Sequence, residues 1–299
     1  MDFLCSVESL ELGESLIGTA PRADVWFMLE YPGRWENKAF ADSEVPVEVK
    51  EKVNAQVKVI TEARWMLIKQ LQTNGRGVRF FAALPKADPP TLYKFRLKDY
   101  GEVLDIDLTA LAAGNAQFDA ARVSEPMFLV CTNGLRDQCC ALKGAPVAKA
   151  LSTQFGEMVW ESTHHGGHRF AANFLHLPHG LSYGRLRAEN AASIVQAALN
   201  GRIALEHFRG RSIYAEPIQA GEILLRRELN LDAVDALNLA ESEALPDGRW
   251  RLRFTERPGG RAHNLLLQRQ ETETQLHLSC GDEKTAPMVN FDILEHKTA

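Results

Sequence analysis

The hydrophobic pattern of the first part of the chain predicts an α/β unit. Residues 23–30 (ADVWFMLE) and 78–84 (VRFFAAL) are rich in Val, Trp and Phe, which is typical of strands. Residues 45–72 carry Val, Ile, Leu and Met at roughly helical spacing with charged residues between them, and this spacing predicts a helix. Two further apolar pieces, at 91–97 and 102–108, predict additional strands.

The middle of the chain predicts a second unit with strands on both sides of a helix. The short apolar run 127–131 (MFLVC) predicts a buried strand, and 157–161 (EMVWE) predicts another. Apolar residues at helical spacing over 142–151 lie between them, where Pro146 indicates a kink or a later helix start. The remaining predicted elements are strands at 170–177 and 182–186 and a helix at about 189–200. The order β-α-β-β-β-α suits a small α/β sandwich.

The tail alternates between apolar and polar residues and predicts a β-rich extension. Residues 250–255 and 263–270 flank Pro258-Gly259-Gly260, which predicts a hairpin, and 275–280 predict a third strand. Small and polar residues at 112–125 indicate a domain boundary. We predict an N-terminal α/β domain over 1–122, a second α/β domain over 123–228 and a β-rich extension over 229–299.

Composition limits the environments and partners of the protein. The chain has 299 residues, of which 45% are hydrophobic, and a formal net charge of −5. Mild acidity gives no reason to expect nucleic acid or an anionic membrane as a partner. No apolar run approaches the roughly 18 residues of a membrane span, and the N-terminus lacks the features of a signal peptide. We therefore expect a cytoplasmic protein.

Five cysteines, three of them within residues 131–140, do not resemble a secretory disulfide framework. In a reducing compartment, clustered cysteines are more often metal ligands or catalytic groups. Cys131 and Cys140 lie nine positions apart, and spacing alone does not choose between Cys140 and its neighbour Cys139. Cys5 and Cys280 are interpreted as small buried hydrophobic residues.

A histidine pair follows the second strand of the central unit. His164 and His168 bracket two glycines, which allow the backbone to wrap closely around a metal. Thiolate and imidazole together suit zinc, copper or an iron–sulfur cluster. Both pairs follow predicted strands, so we expect them at one end of the sheet. His165 is predicted to point elsewhere. His176 and His179 either face the site or are exposed, and exposure is the preferred interpretation. The other histidines are interpreted as exposed or satisfied core residues: His207, His263, His277 and His296.

These motifs resemble those of the sucrase/ferredoxin-like family, over roughly residues 20–210. The matching segments are LEYPGRW at 29–35, Cys131, Arg136-Asp137, Cys140, His164 to Ala171, and Pro178 to Arg185. The resemblance implies a thioredoxin-like ferredoxin domain, preceded by a degenerate thioredoxin-like domain without ligands. It also implies a [2Fe–2S] cluster on Cys131, Cys140, His164 and His168, and so selects Cys140 over Cys139.

Residues beside the implied ligands have two interpretations. Either Arg136 and Asp137 support the cluster, with Arg136 donating to a cluster sulfur or to a partner protein, or they form a loop salt bridge or a helix N-cap by Asp137. Tyr183 and Arg185 are predicted to fix the geometry of the loop.

The implied ligand set predicts an electron carrier, or a component of an oxidoreductase, with a redox partner such as a flavoprotein reductase. Two neutral imidazoles should raise the potential above the roughly −400 mV of plant-type ferredoxins, and the potential should fall as pH rises. The first alternative is a structural Cys2His2 zinc site without a redox role. Thiol redox chemistry at Cys139-Cys140 is a further alternative, whereas no motif supports a hydrolase.

Overall fold

In the computed structural model, which describes residues 3–71 and 77–299, the apolar runs form the strands of one large sheet. The first part of the chain contains α1 (Cys5–Glu11), β1 (Val25–Glu30), α2 (Val47–Val59), β2 (Ala63–Lys69), β3 (Val78–Leu84), β4 (Thr91–Leu97), a 3-10 helix (Tyr100–Asp105), α3 (Leu108–Ala112), a 3-10 helix (Ala116–Ala121) and β5 (Arg122–Val123).

The central part begins with the buried strand β6. Its elements are β6 (Met127–Cys131), α4 (Gln138–Phe155), a 3-10 helix (Gly156–Met158), β7 (Val159–Ser162), a 3-10 helix (His168–Phe170), β8 (Phe174–Leu177), β9 (Leu181–Tyr183), α5 (Ala188–Leu199), β10 (Phe208–Arg211) and α6 (Glu216–Leu229). The tail contains β11 (Leu237–Ala244), a 3-10 helix (Pro246–Gly248), β12 (Arg249–Glu256), β13 (Ala262–Ser279) and β14 (Asp282–Thr298).

The ten-stranded sheet contains the same strand arrangement twice. Its order is β10-β9-β8-β6-β7-β2-β1-β3-β4-β5. In the half formed by β1–β5, β1 is parallel to β2 and antiparallel to β3. In the half formed by β6–β10, β6 is likewise parallel to β7 and antiparallel to β8. The α/β class is therefore confirmed, while the division into three domains stays a prediction.

The two halves meet where β2 pairs antiparallel with β7. The register places Ile68 opposite Ser162. One residue later, the Thr163 amide donates to the Leu67 carbonyl at 2.9 Å, and Thr163 Oγ1 accepts from the Leu67 amide at 3.1 Å. One buried cluster combines side chains of both halves, including Trp26, Met28, Met66, Ile68, Leu129 and Trp160. The halves therefore share a core at this joint.

The tail forms a four-stranded antiparallel sheet in the order β11-β12-β13-β14. Its apolar face packs on α6 through Ile218, Leu225, Leu252, Phe254 and Leu267. The predicted hairpin around Pro258 is confirmed, because β12 pairs with β13. Residues 275–280 are not a separate strand: 275–279 continue β13, and β14 pairs with it. The long hairpin reaches α1, where the His277 amide donates to Glu8 Oε2 at 2.9 Å.

Two predicted elements of the first half are wrong. The helix predicted over 45–72 ends at Val59, and 63–69 form β2, whose last part is buried at the centre of the sheet. Tertiary burial outweighs helical spacing there, and residue 72 lies outside the described part of the chain. Residues 102–108 are mostly helical, because the carboxylates of Asp99 and Asp107 accept backbone hydrogen bonds and cap two short helices.

Within the described residues, no helix combines the length and the apolar character that crossing a bilayer requires.

Candidate metal centre

The first two candidate ligands lie where β6 ends and α4 begins. Cys131 is the last residue of β6, and Cys140 is in the first turn of α4. A Cβ atom on Gly144 would lie 2.1 Å from the Cys131 carbonyl oxygen, so glycine allows the helix to approach the strand end. Helix α4 starts at Gln138 and continues through Pro146, so a later start is wrong.

The two histidines lie on the loop that follows β7. Because β6 and β7 are parallel, this loop leaves the sheet at the same end as Cys131. Gly166 and Gly167 have φ angles of +114° and +77°, which residues other than glycine rarely adopt. The predicted meeting of the two loops at one end of the sheet is confirmed.

Three of the four predicted ligands form a compact group. His164 Nδ1 lies 3.7 Å from Cys140 Sγ and 4.0 Å from Cys131 Sγ. One potential ligand atom from each residue lies within 4.8 Å of the others, so these three residues could hold a metal ion. Both cysteines are almost fully buried.

His168 adjoins this group without belonging to it. Its ring centroid lies 4.9 Å from that of His164. Its Nε2 atom contacts the Leu278 carbonyl and lies 3.8 Å from Asp137 Oδ2. Its Nδ1 atom is buried and has no hydrogen-bond partner among residues 3–71 and 77–299. Because a carbonyl oxygen only accepts, Nε2 carries the proton and Nδ1 keeps a free lone pair.

The two buried thiols have opposite pKa shifts. A hydrogen bond from Cys140 stabilises the Cys131 thiolate and lowers the Cys131 pKa well below its ordinary value, despite burial. The same hydrogen bond and burial raise the pKa of Cys140. Burial also lowers the pKa of His168, although Asp137 opposes this. The group is therefore suited to neutral imidazole and to at least one thiolate, the forms that bind metals.

A second group, which the sequence did not indicate, lies beside the first. It contains Cys5, Asp137, Cys139 and Cys280, with potential ligand atoms within 4.8 Å of one another. Cys5 is buried as predicted, but neither Cys5 nor Cys280 is isolated. The chain separates Cys5 from Cys139 by 134 positions and from Cys280 by 275, so no local spacing could reveal the group.

The neighbours of the ligand loops have clear structural roles. Asp137 caps α4, since its Oδ1 atom accepts from the Cys139 amide at 2.9 Å, which confirms the N-cap interpretation. Arg136 is exposed and donates to Asn37 Oδ1 at 3.1 Å. The Arg185 guanidinium donates to the Glu14 carbonyl at 2.6 Å, and its amide donates to the Phe170 carbonyl at 2.7 Å. Arg185 therefore holds the histidine loop, as predicted, while Tyr183 is buried.

The other histidines near the loops lie outside the group of three. His165 is buried, and burial lowers its pKa to about 4. His176 is also buried, its ring 5.2 Å from that of Phe128, so the interpretation as an exposed residue is wrong for it. Phe128 lies near the start of β6, away from Cys131, and His176 therefore does not face the site. The remaining histidines with polar contacts are His207, His263, His277 and His296.

A cavity of about 410 Å³ opens beside the second group and His168. His168, Asp137 and Cys280 lie in its wall, together with the exposed Leu135 and Arg136. It connects the neighbourhood of the candidate ligands with solvent.

Comparison with known proteins finds a family model that covers the region of this centre. A family model described as sucrase/ferredoxin-like matches residues 16–210, more than half of the chain. A search of the curated proteins and a search of the solved structures found no match.

Proposed function

This chain belongs to the sucrase/ferredoxin-like family, and from that premise we propose that it is an electron-transfer protein that holds a [2Fe–2S] cluster. Cys131, Cys140, His164 and His168 would be the ligands. Such a cluster, when bound, accepts and returns one electron at a time.

The observation that carries the proposal is the meeting of two buried thiols with His164 Nδ1, beside His168, whose Nδ1 has no hydrogen-bond partner within the described part of the chain. A buried nitrogen without a hydrogen bond is costly, and a metal ligand role would remove that cost. The donor set of two sulfurs and two imidazoles suits an iron–sulfur cluster. The residues therefore fit the group that the family name suggests.

The surrounding protein would orient these ligands. The contact of His168 Nε2 with the Leu278 carbonyl keeps the proton on Nε2 and leaves the buried Nδ1 with its lone pair available to a metal. Burial of Cys131 and Cys140 excludes water from the sulfurs. Two imidazole ligands would give the oxidised centre less negative charge than four thiolates, and so a higher potential.

A redox partner protein would approach from the side of the cavity. Leu135, 45% exposed, and the exposed Arg136 lie on the ligand loop beside His168, and they offer an apolar contact and a positive charge. A flavoprotein reductase or an electron acceptor would fit this role. All five cysteines lie in the described residues and none of them forms a disulfide, which suits a reducing cytoplasm.

The test is the iron and acid-labile sulfide content of anaerobically purified protein, with a visible spectrum and low-temperature EPR after dithionite. We expect about two irons and two sulfides per chain, as the [2Fe–2S] stoichiometry requires, and a Rieske-like signal. Zinc at Cys131 and Cys140, with neither iron nor sulfide, would contradict the proposal and favour the structural Cys2His2 zinc site.

A further inference from the structure

Three thiols and a carboxylate from distant parts of the chain meet beside the proposed cluster site. Cys5 begins α1, Asp137 caps α4, Cys139 lies in the first turn of α4, and Cys280 lies in the turn between β13 and β14. Cys5, Asp137 and Cys139 are buried, and Cys280 is half-buried. The whole group is separate from Cys131, Cys140 and His164.

The distances are close to those of a tetrahedral metal site. The sulfur–sulfur distances are 3.2 Å for Cys139–Cys280, 3.4 Å for Cys5–Cys280 and 3.7 Å for Cys5–Cys139. A zinc–sulfur bond of about 2.3 Å implies a sulfur–sulfur distance of about 3.8 Å in a tetrahedron. Asp137 Oδ1 lies 3.3 Å from Cys280 Sγ and 3.8 Å from Cys5 Sγ, so it can complete the tetrahedron.

The carboxylate is already oriented for this role. Asp137 Oδ1 accepts from the Cys139 amide and Oδ2 from the Cys280 amide, both at 2.9 Å. Each oxygen keeps a further lone pair. Four groups that can each become an anion lie together, three of them buried and Cys280 half-buried, and such an arrangement requires a compensating cation or protonated thiols.

We propose that Cys5, Cys139, Cys280 and Asp137 bind a structural zinc ion beside the electron-transfer centre. Three thiolates with one carboxylate oxygen are a ligand set that zinc accepts. Each thiol would release its proton on binding, while Asp137 binds as the carboxylate. All four positions would be filled by protein, which is typical of a structural site.

The zinc would join three segments that have no covalent link near the site. It would fix α1 and the β13–β14 turn to the first turn of α4, where the zinc ligand Cys139 directly precedes Cys140. The site would therefore support the position of the ligand loop without taking part in electron transfer.

The test is the zinc and iron content of the full chain, produced with both metals in the medium. It compares variants of the proposed zinc site with a variant of the proposed cluster site. Cys5→Ser and Cys280→Ser should each lose the zinc and keep the iron and the visible spectrum. The Cys131→Ser/Cys140→Ser variant is the matched control, and it should lose the iron and keep one zinc per chain. Wild-type protein without zinc, or a control variant that loses its zinc while Cys5→Ser keeps it, would overturn the proposal.

A second measurement needs no variant. Alkylation of the native wild-type protein, followed by mass spectrometry, should find Cys5, Cys139 and Cys280 protected until a zinc chelator is added. Cys131 and Cys140 should stay protected until iron is removed. Alkylation of all three thiols before chelation, or a disulfide between Cys139 and Cys280, would contradict zinc binding. Because the iron content is measured separately, failure of this proposal is distinguishable from failure of the proposed cluster.

Discussion

The two halves of the large sheet have the same strand order, yet among the described residues only the central half carries candidate metal ligands at its strand ends. In the central half, the end of β6 provides Cys131, which contacts His164 after the parallel neighbour β7. In the first half, the corresponding end of β1 is followed by Trp35, and Lys69 at the end of β2 lies 4.3 Å from the Trp35 ring. The first half thus has a cation–π contact at the strand ends where the central half has thiols and imidazoles.

The difference shows that topology supplies neighbouring strand ends, whereas the loop residues decide what they do. Trp35 is 6% exposed and belongs to the core of the first half, and its indole nitrogen donates to the Tyr31 carbonyl at 3.3 Å. The loop after β1 therefore stabilises its half by packing. The loop after β6 instead has polar side chains in its buried positions.

The largest expected effect comes from removing a proposed ligand of the central half. Cys131→Ser should abolish iron binding, because an alcohol replaces the thiolate at the strand end. Iron and sulfide analysis checks this, with far-UV circular dichroism to show that the fold persists. Tyr31→Phe, at the end of β1, is the matched control and should keep the iron. A Cys131→Ser protein with the full iron content would exclude Cys131 as a ligand.

A truncation in the first half should change stability alone. Trp35→Ala should lower the free energy of unfolding by about 3–5 kcal/mol, since it leaves a cavity in the core of this half. Urea unfolding measures the loss, and the iron content per folded chain should stay at the wild-type value. Trp35→Phe should cost less. Loss of iron from the folded Trp35→Ala protein would show that the first half takes part in the site.

The outer edge of the central half depends on a buried ion-pair network. Glu222 of α6 pairs with Arg211 at 2.8 Å and Arg226 at 2.9 Å. Burial raises the pKa of Glu222, but the two arginines outweigh burial and hold it below its ordinary value of 4.5. Its contribution to stability is therefore complete above about pH 4.5 and is lost as pH falls through the folded-state pKa.

Glu222→Gln should destabilise the protein by about 3 kcal/mol at neutral pH, because both arginines lose a buried charge partner. Thermal unfolding between pH 3 and pH 7 measures the difference between variant and wild type, which should shrink toward the acid end. A constant difference across that range would show that the pKa of Glu222 is the same in the folded and unfolded protein, and would contradict its stabilisation by the two arginines.

Replacement of one imidazole should shift the potential without removing the centre. His168→Cys should lower the midpoint potential by on the order of 100 mV, toward the roughly −400 mV of plant-type ferredoxins, because a thiolate adds negative charge. Redox titration followed by EPR measures the shift. His176→Gln, a buried histidine away from the site, should leave the potential unchanged. An unchanged potential in His168→Cys would remove His168 from the ligand set.

The smallest effect concerns pH. If one proton accompanies the electron at a ligand imidazole, the potential should fall by about 59 mV per pH unit above the histidine pKa of the oxidised centre. Voltammetry from pH 6 to pH 10 measures the slope. In His168→Cys the slope should begin at a different pH, and a flat potential in the wild type would exclude the coupling.

Several parts of the fold were predictable because they depend on local patterns. The continuous apolar run ending at Cys131 and the glycines before His168 indicated a strand end and a bent loop, and both are present. Residues 63–69 were not predictable, because their strand state comes from burial between β1 and β7. The group of Cys5, Cys139 and Cys280 depends on contacts between distant segments, which no spacing in the sequence expresses.

The joint between β2 and β7 also determines which strand edges can meet other molecules. Two separate sheets would have four exposed edges, and unpaired edges invite self-association. In the joined sheet the terminal strands are short: β5 has two residues and β10 has four. The part of β4 that β5 does not pair with carries Lys94 and Arg96, and their charges discourage the addition of another strand. By pairing with β7, strand β2 thereby covers the strand that leads to His164, which would otherwise be an exposed edge open to aggregation.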